Sequence, residues 1–188
     1  EVKVELADLQ LLESIATSFI ADKLDENCGI EALDYEFDQN ASTQNIPLKK
    51  IAEAVVNEVV NEGGLQRLTE ESPEVSVSAL VGVAKEYGLN LTGYTVNFAD
   101  LSQVVMANGP VIVFNDSHAV VVVKVDEKIT IREDGQEKQL SPEEFKQQFG
   151  NELRILTTTK LSGIGSELAA EKMQDIWVGQ SAQELWDV

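Results

Sequence analysis

His118-Ala119-Val120-Val121-Val122-Val123-Lys124-Val125, then Asp126-Glu127, then Lys128-Ile129-Thr130-Ile131-Arg132, reads as a strand, an acidic turn and a returning strand, because β-branched residues fill both arms and a polar pair separates them. If Val125 faces Lys128, facing positions sum to 253 and His118 lies opposite residue 135. Glu133 and Asp134 then fall beside the imidazole, one strand away. Further strands flank this hairpin: Tyr94–Phe98, Pro110–Phe114, Glu137–Leu140 after the Asp134-Gly135 turn, and Glu152–Thr157. Ser141-Pro142-Glu143-Glu144 carries the marks of a helix start, with Ser at the N-cap, Pro at the first helical position and Glu144 at the capping-box position.

Upstream of residue 91 the period is helical. Leu6, Leu9, Leu12, Ile15, Phe19 and Ile20 predict an amphipathic helix over 6–24 with these residues inward. A second helix opens at Cys28-Gly29 and runs through Ile30, Leu33 and Phe37. A third spans Leu48 to Val60, with Ile51, Val55, Val56, Val59 and Val60 inward. A fourth runs from Ser76 to Tyr87 and is ended by Gly88, and a short one lies near Asp100 to Ala107. Helices first and an antiparallel sheet afterwards make an α+β arrangement.

Composition narrows the chemistry. One cysteine and one histidine in 188 residues exclude an intrachain disulfide and a zinc site built from Cys and His, so no metal and no cofactor is expected, although a carboxylate-rich metal site stays open. The length and a 43% hydrophobic content suit one domain with a proper core. A net charge of −19 repels phosphate backbones and anionic lipid, which makes nucleic acid and membrane poor partners and a cationic peptide a good one. The strongest apolar run, Ala119–Val123, stops at Lys124, far short of a membrane span. Glu1 at the start reads as a processed terminus, which leaves room for a removed export signal, while an unpaired thiol suits a reducing, cytoplasmic setting.

Cys28, at a helix start after a polar loop, feels the positive end of the helix dipole, which favours a thiolate nucleophile. For a lone cysteine in general, the plainer role is a small buried hydrophobe. His118, at a strand end, is the one histidine that can take and return the thiol proton. Glu133 or Asp134 stands where the third member of a Cys–His–acid triad would orient the ring.

Asn27-Cys28-Gly29-Ile30-Glu31-Ala32-Leu33 resembles the Asp-Cys-Gly-Pro-Ala-Ala-Leu signature of the bacteriocin-processing, double-glycine leader peptidases, a papain-like family. Leu80–Leu89 resembles that family's helix ending in Gly-Leu. Gly109-Pro110-Val111-Ile112-Val113 and His118-Ala119-Val120-Val121-Val122 resemble its Pro-strand and its His-bearing strand, and Leu140-Ser141-Pro142-Glu143-Glu144-Phe145 resembles its Leu-Ser-x-Glu-Glu-Phe helix. The likeness covers roughly residues 15–158 in order. It implies a helical half carrying Cys28, a sheet half carrying His118, a peptide cleft between them and cleavage after a small residue. Two positions depart from the pattern. Asp22 stands where the family has the Gln that binds the oxyanion, and a carboxylate is no donor there. The family's Asp-Pro is Glu133-Asp134.

Residues 1–160 are thus expected to form the papain-like domain and 161–188 a linker and helix. In that tail Leu168, Met173 and Ile176 precede Gly179 at offsets that resemble the family's leader peptides, with Val178 in place of the first Gly. The tail is therefore either an amphipathic helix packed on its own domain or a leader-like partner for the cleft. Three functions follow: a cysteine peptidase, a catalytically weak relative that binds leader-like peptides, and a thiol acyltransferase.

Overall fold

The change of period near residue 91 is a change of element type in the chain. The computed structural model describes residues 6–24, 26–70 and 73–179, without the side chains of 6–12. Helices α1 (Leu6–Lys23), α2 (Cys28–Asp38), α3 (Leu48–Asn61) and the single turn α4 (Leu65–Leu68) come first, followed by β1 (Val75–Ser76) and α5 (Val77–Glu86). The second half contains β2 (Thr92–Asn97), α6 (Leu101–Asn108), β3 (Val111–Phe114), β4 (Ala119–Val125), β5 (Ile129–Glu133), β6 (Gln136–Leu140), α7 (Pro142–Phe149) and β7 (Glu152–Thr157). It closes with β8 (Ser166–Glu167), α8 (Ala170–Gln174) and β9 (Trp177–Val178). The fold class is α+β.

The large sheet runs β6-β5-β4-β3-β7-β2-β8, every neighbouring pair antiparallel. Both of its faces are covered, which explains the unbroken apolar runs of the central strands. Ile112, Phe114, Ala119 and Val121 join the core shared with the N-terminal helices. Val111, Val113, Val120, Val122 and Ile131 face a second core closed by Leu101 and Val104 of α6 and Phe145 of α7. The capping box at Ser141 forms as the sequence predicts, its hydroxyl accepting from the Glu144 amide while the Glu144 carboxylate accepts from the Ser141 amide.

The 118–133 hairpin has a longer turn than the sequence suggests. Val125 faces Ile129, not Lys128, and a β-bulge at Val123 absorbs the extra residue, so that Val122 faces Ile131 and Val121 faces Arg132. The two departures cancel, and the facing positions beyond the bulge again sum to 253.

Two expected burial patterns and one expected helix extent fail. Ile15 and Phe19 are exposed on α1, which meets the core through Ala21 and the partly buried Ile20, with Leu24 just past its end; its apolar residues surround the helix rather than forming one stripe, so packing against α3 selects the face. Val60 is also exposed, one step past the stripe that ends at Val59. In the tail, α8 holds only five residues, and Leu168 and Ile176 lie outside it because the chain on either side of it is extended and strand-paired.

Candidate active site

Asn27 precedes α2 and is buried. Its Oδ1 accepts from the Gly29 amide at 2.9 Å and the Ile30 amide at 3.2 Å, and its carbonyl accepts from Glu31 at 3.0 Å. A helix start leaves four amides without intrahelical acceptors: the Asn27 side chain takes two of them, those of Gly29 and Ile30, and the Leu24 carbonyl takes that of Asn27 at 3.0 Å. The fourth, the Cys28 N–H, has no acceptor among the described residues. The Cys28 side chain sits at the positive end of the helix dipole.

Gly29 follows because α2 is crowded there. A Cβ would lie 2.8 Å from Val178 Cγ2 and 3.0 Å from Leu80 Cδ1, so a larger residue would push α2 away from α5 and from the tail.

His118 arrives from the sheet half, and its loop is tied by Asn115. Asn115 Oδ1 accepts from the Ser117 amide at 2.9 Å and the His118 amide at 2.8 Å, and Asn115 Nδ2 donates to the Gln148 carbonyl at 3.2 Å. The ring is fully buried. Its Nε2 is 2.6 Å from Glu133 Oε2, and it hydrogen-bonds the Cys28 side chain on α2. Burial pulls the imidazole pKa down, but the hydrogen bonds to Cys28 and Glu133 and their charges outweigh it and push it up to about 10. Burial likewise raises Glu133, and is outweighed by His118 and by Lys138, whose Nζ is 3.0 Å from Glu133 Oε1; the carboxyl is lowered to about 2.

Of the two acids left open by the sequence, Glu133 reaches the imidazole and is buried. Asp134 takes the turn, with φ 52° beside Gly135 at φ 72°. It lines a cavity of about 240 Å³ beside Cys28, together with Glu31, Asp34, Tyr35 and Arg132. Asp22 does not line that cavity. Its carboxylate is 63% exposed and 3.4 Å from Lys49 Nζ.

The tail runs to the same place. Val178 and Trp177 pair with Val75 and Ser76, the Asn27 Nδ2 donates to the Val178 carbonyl at 3.3 Å, and the Gly179 amide donates to the Ser117 carbonyl at 3.0 Å. Residues 178 and 179 are thus held by the residues immediately before Cys28 and before His118. Residues 180–188 of the expected tail segment lie outside the described residues.

Sequence reasoning missed Asn27, Asn115 and Lys138. The hairpin turning at Asp134-Gly135 carries the signal for Lys138, because Ile131 faces Lys138 and Glu133 is its diagonal neighbour. Asn115, in Asn115-Asp116-Ser117, carries no sequence signal beyond that of a turn. Among the described residues no group of three His, Cys, Asp or Glu side chains is placed to hold a metal ion, and no helix is long and apolar enough to cross a membrane.

Residues 56–161 match the family model described as the peptidase C39 family; this segment includes His118 and Glu133 and begins after Cys28. A solved structure, of a double glycine motif protease from an AMS/PCAT transporter in complex with the leader peptide, is 20% identical over 71% of this chain and 85% of that one, with a TM-score of 0.47. No curated protein matches the chain.

Proposed function

The chain belongs to the peptidase C39 family, and on that premise we propose that it is a cysteine peptidase that cuts a leader-like peptide after a glycine. The observation that carries this is the buried run from the Cys28 side chain through His118 to Glu133, with 2.6 Å between the last two. Nε2 is held by Glu133, so Nδ1 faces the thiol. The thiol proton passes to His118, and the sulfur attacks the scissile carbonyl carbon. The Cys28 amide donates to the oxygen as it becomes negative. Collapse breaks the C–N bond, and the leaving amine takes the proton from His118. Water, deprotonated by the same ring, then hydrolyses the thioester. Glu133 fixes the ring orientation and stabilises the imidazolium, while Lys138 keeps Glu133 ionised.

Glycine specificity is supported by the space at Gly179. A Cβ there would collide with the Pro73 carbonyl oxygen and lie 3.0 Å from Glu74 Cα. Beyond Cys28, the acidic lining of the cavity favours a cationic residue in the peptide.

The test is a synthetic peptide with apolar residues at the spacing of Leu168, Met173 and Ile176 and a Gly-Gly end, supplied at millimolar concentration. Cleavage after the last glycine is expected, abolished in Cys28→Ala and reduced by about 10²–10⁴ in kcat in Glu133→Gln. A second reading, a peptide-binding relative without turnover, is favoured by Asp22, since losing one oxyanion donor costs on the order of 10²–10³ in rate. Peptide binding without cleavage would establish it.

A further inference from the structure

We propose that residues 166–179 are a built-in occupant of the substrate groove and that the Gly179–Gln180 bond is the enzyme's own first substrate. This rests on the peptidase reading above and adds the identity of one substrate, the chain itself.

The anchoring is distributed along the whole segment. Glu167 and Ser166 pair with Tyr94 and Thr95 of β2, and the Leu168 amide donates to the Gly93 carbonyl at 2.8 Å. Gly93 is bare where the tail crosses it, with space for a Cβ only 3.1 Å from Met173 Sδ and 3.3 Å from Leu168 Cβ. The Ile176 carbonyl accepts from the Val77 amide at 3.0 Å. Trp177 lies under Arg67, 4.9 Å from guanidinium carbon to ring centre, and over Gly64, where a Cβ would be 2.6 Å from the indole. Leu168, Met173, Ile176 and Val178 are all buried, in the same core as Cys28.

What distinguishes this from an ordinary packed tail is where it ends. A helix docked for stability needs only its apolar residues buried, whereas here residues 177–178 form a strand and the backbone of residues 178–179 is bonded on both sides to the catalytic halves: Val178 C=O to Asn27, Gly179 N–H to Ser117. The backbone at these two positions is fixed whatever the side chains are, and the one residue with no tolerance for a side chain is the last, Gly179. These are the requirements of a peptide being presented to a thiol: extended backbone, fixed register and a residue too small to block the approach to its own carbonyl. The bond that follows Gly179 is then the bond delivered to Cys28.

In the reaction the Cys28 sulfur bonds to the Gly179 carbonyl carbon, the bond to the Gln180 nitrogen breaks, and the released amine carries away the proton held by His118. Water hydrolyses the thioester and leaves Gly179 as a carboxylate. The pairing of residues 166–178 is untouched by the cut, so the new C-terminus stays in the groove and competes with any peptide in solution. A tethered ligand competes at an effective concentration in the millimolar range.

The experiment follows the intact mass of the full chain from the first purified fraction, at two protein concentrations about tenfold apart, beside Cys28→Ala. Loss of residues 180–188 is expected in the wild type at the same first-order rate at both concentrations, or already complete on isolation, with Cys28→Ala intact. Two variants loosen the occupant, Gly179→Leu by steric conflict and Trp177→Ala by removing the ring over Gly64. Either should cut the synthetic Gly-Gly peptide about tenfold faster than wild type, and Gly179→Leu should keep its tail. A wild type that cuts the peptide but retains residues 180–188, a self-cleavage rate that scales with protein concentration, or release variants no faster than wild type would each overturn the proposal and leave the peptidase reading standing. No cleavage of tail or peptide by any variant would remove both.

Discussion

Glu36 is a carboxyl folded into a place with no partner for its charge. It is 3% exposed, and its Oε1 lacks a hydrogen bond among the described residues. Desolvation raises its pKa to about 8. A carboxyl whose folded pKa lies above its unfolded one stabilises the fold while it is protonated in both states, and that contribution is lost as pH rises from about 4.5 through 8. The loss is on the order of 5 kcal/mol at most, from about 1.4 kcal/mol per tenfold change in proton affinity. Glu36→Gln should therefore raise the melting temperature at about pH 9 and leave it nearly unchanged at about pH 4; an equal effect at both would refute the assignment. The same rule gives His118 a contribution that is complete below its unfolded pKa of 6.5 and lost as pH rises to about 10. Glu133 runs the other way: its contribution is complete above 4.5 and lost as pH falls to about 2.

At the scale of elements, the site depends on loops that hold strand and helix ends in place. Asn115 ties the 115–118 turn to the Gln148 carbonyl at the end of α7 and touches no reacting atom, which makes it a positioning residue. Asn115→Ala should lower kcat by about tenfold or more with little change in KM, since misplacing a catalytic group is costly even when binding survives. Asn115→Asp, which keeps the acceptor for the Ser117 and His118 amides, should recover part of the loss; a fall confined to KM would contradict the role. These elements also show where sequence was informative. The start of α2, the capping box at Ser141 and strand β7 were legible because each is written in local chemistry: a polar cap, a Ser-Pro-Glu-Glu run, alternating apolar residues. The inward face of α1 was not, since Ile15, Phe19 and Ala21 compete for the core and only tertiary packing chooses among them. The path of residues 166–179 was not legible either, because pairing with β1 and β2 is a long-range event that no local period records.

The whole molecule joins a helical half carrying the thiol to a sheet half carrying the imidazole, and a charge of −19 surrounds the seam. Such a field accelerates the encounter with a cationic peptide and does so less as salt rises. The kcat/KM for a Gly-Gly peptide followed by Lys or Arg should exceed that for one followed by Asp or Glu. The advantage should shrink between about 0.05 and 0.5 M salt, where the Debye length falls severalfold. A preference unaffected by salt would place the selectivity in direct contacts at the cavity rather than in the field. That both halves are needed for any of this was visible in the count of one cysteine and one histidine, which lie 90 residues apart.

The bulge at Val123 gives the site a dependence on parity. Side chains alternate between the faces of a sheet, so a residue of β4 shares its face with residues of β5 that differ from it by an odd number when facing positions sum to 253, and by an even number when they sum to 254. With the bulge, even-numbered His118 shares its face with odd-numbered Glu133. Without it, the register set at Val125 and Ile129 would run on unchanged and match His118 with Asp134 instead. Flattening the bulge of β4 without removing a residue, while the Val125–Ile129 register is kept, would thus exchange one acid for the other.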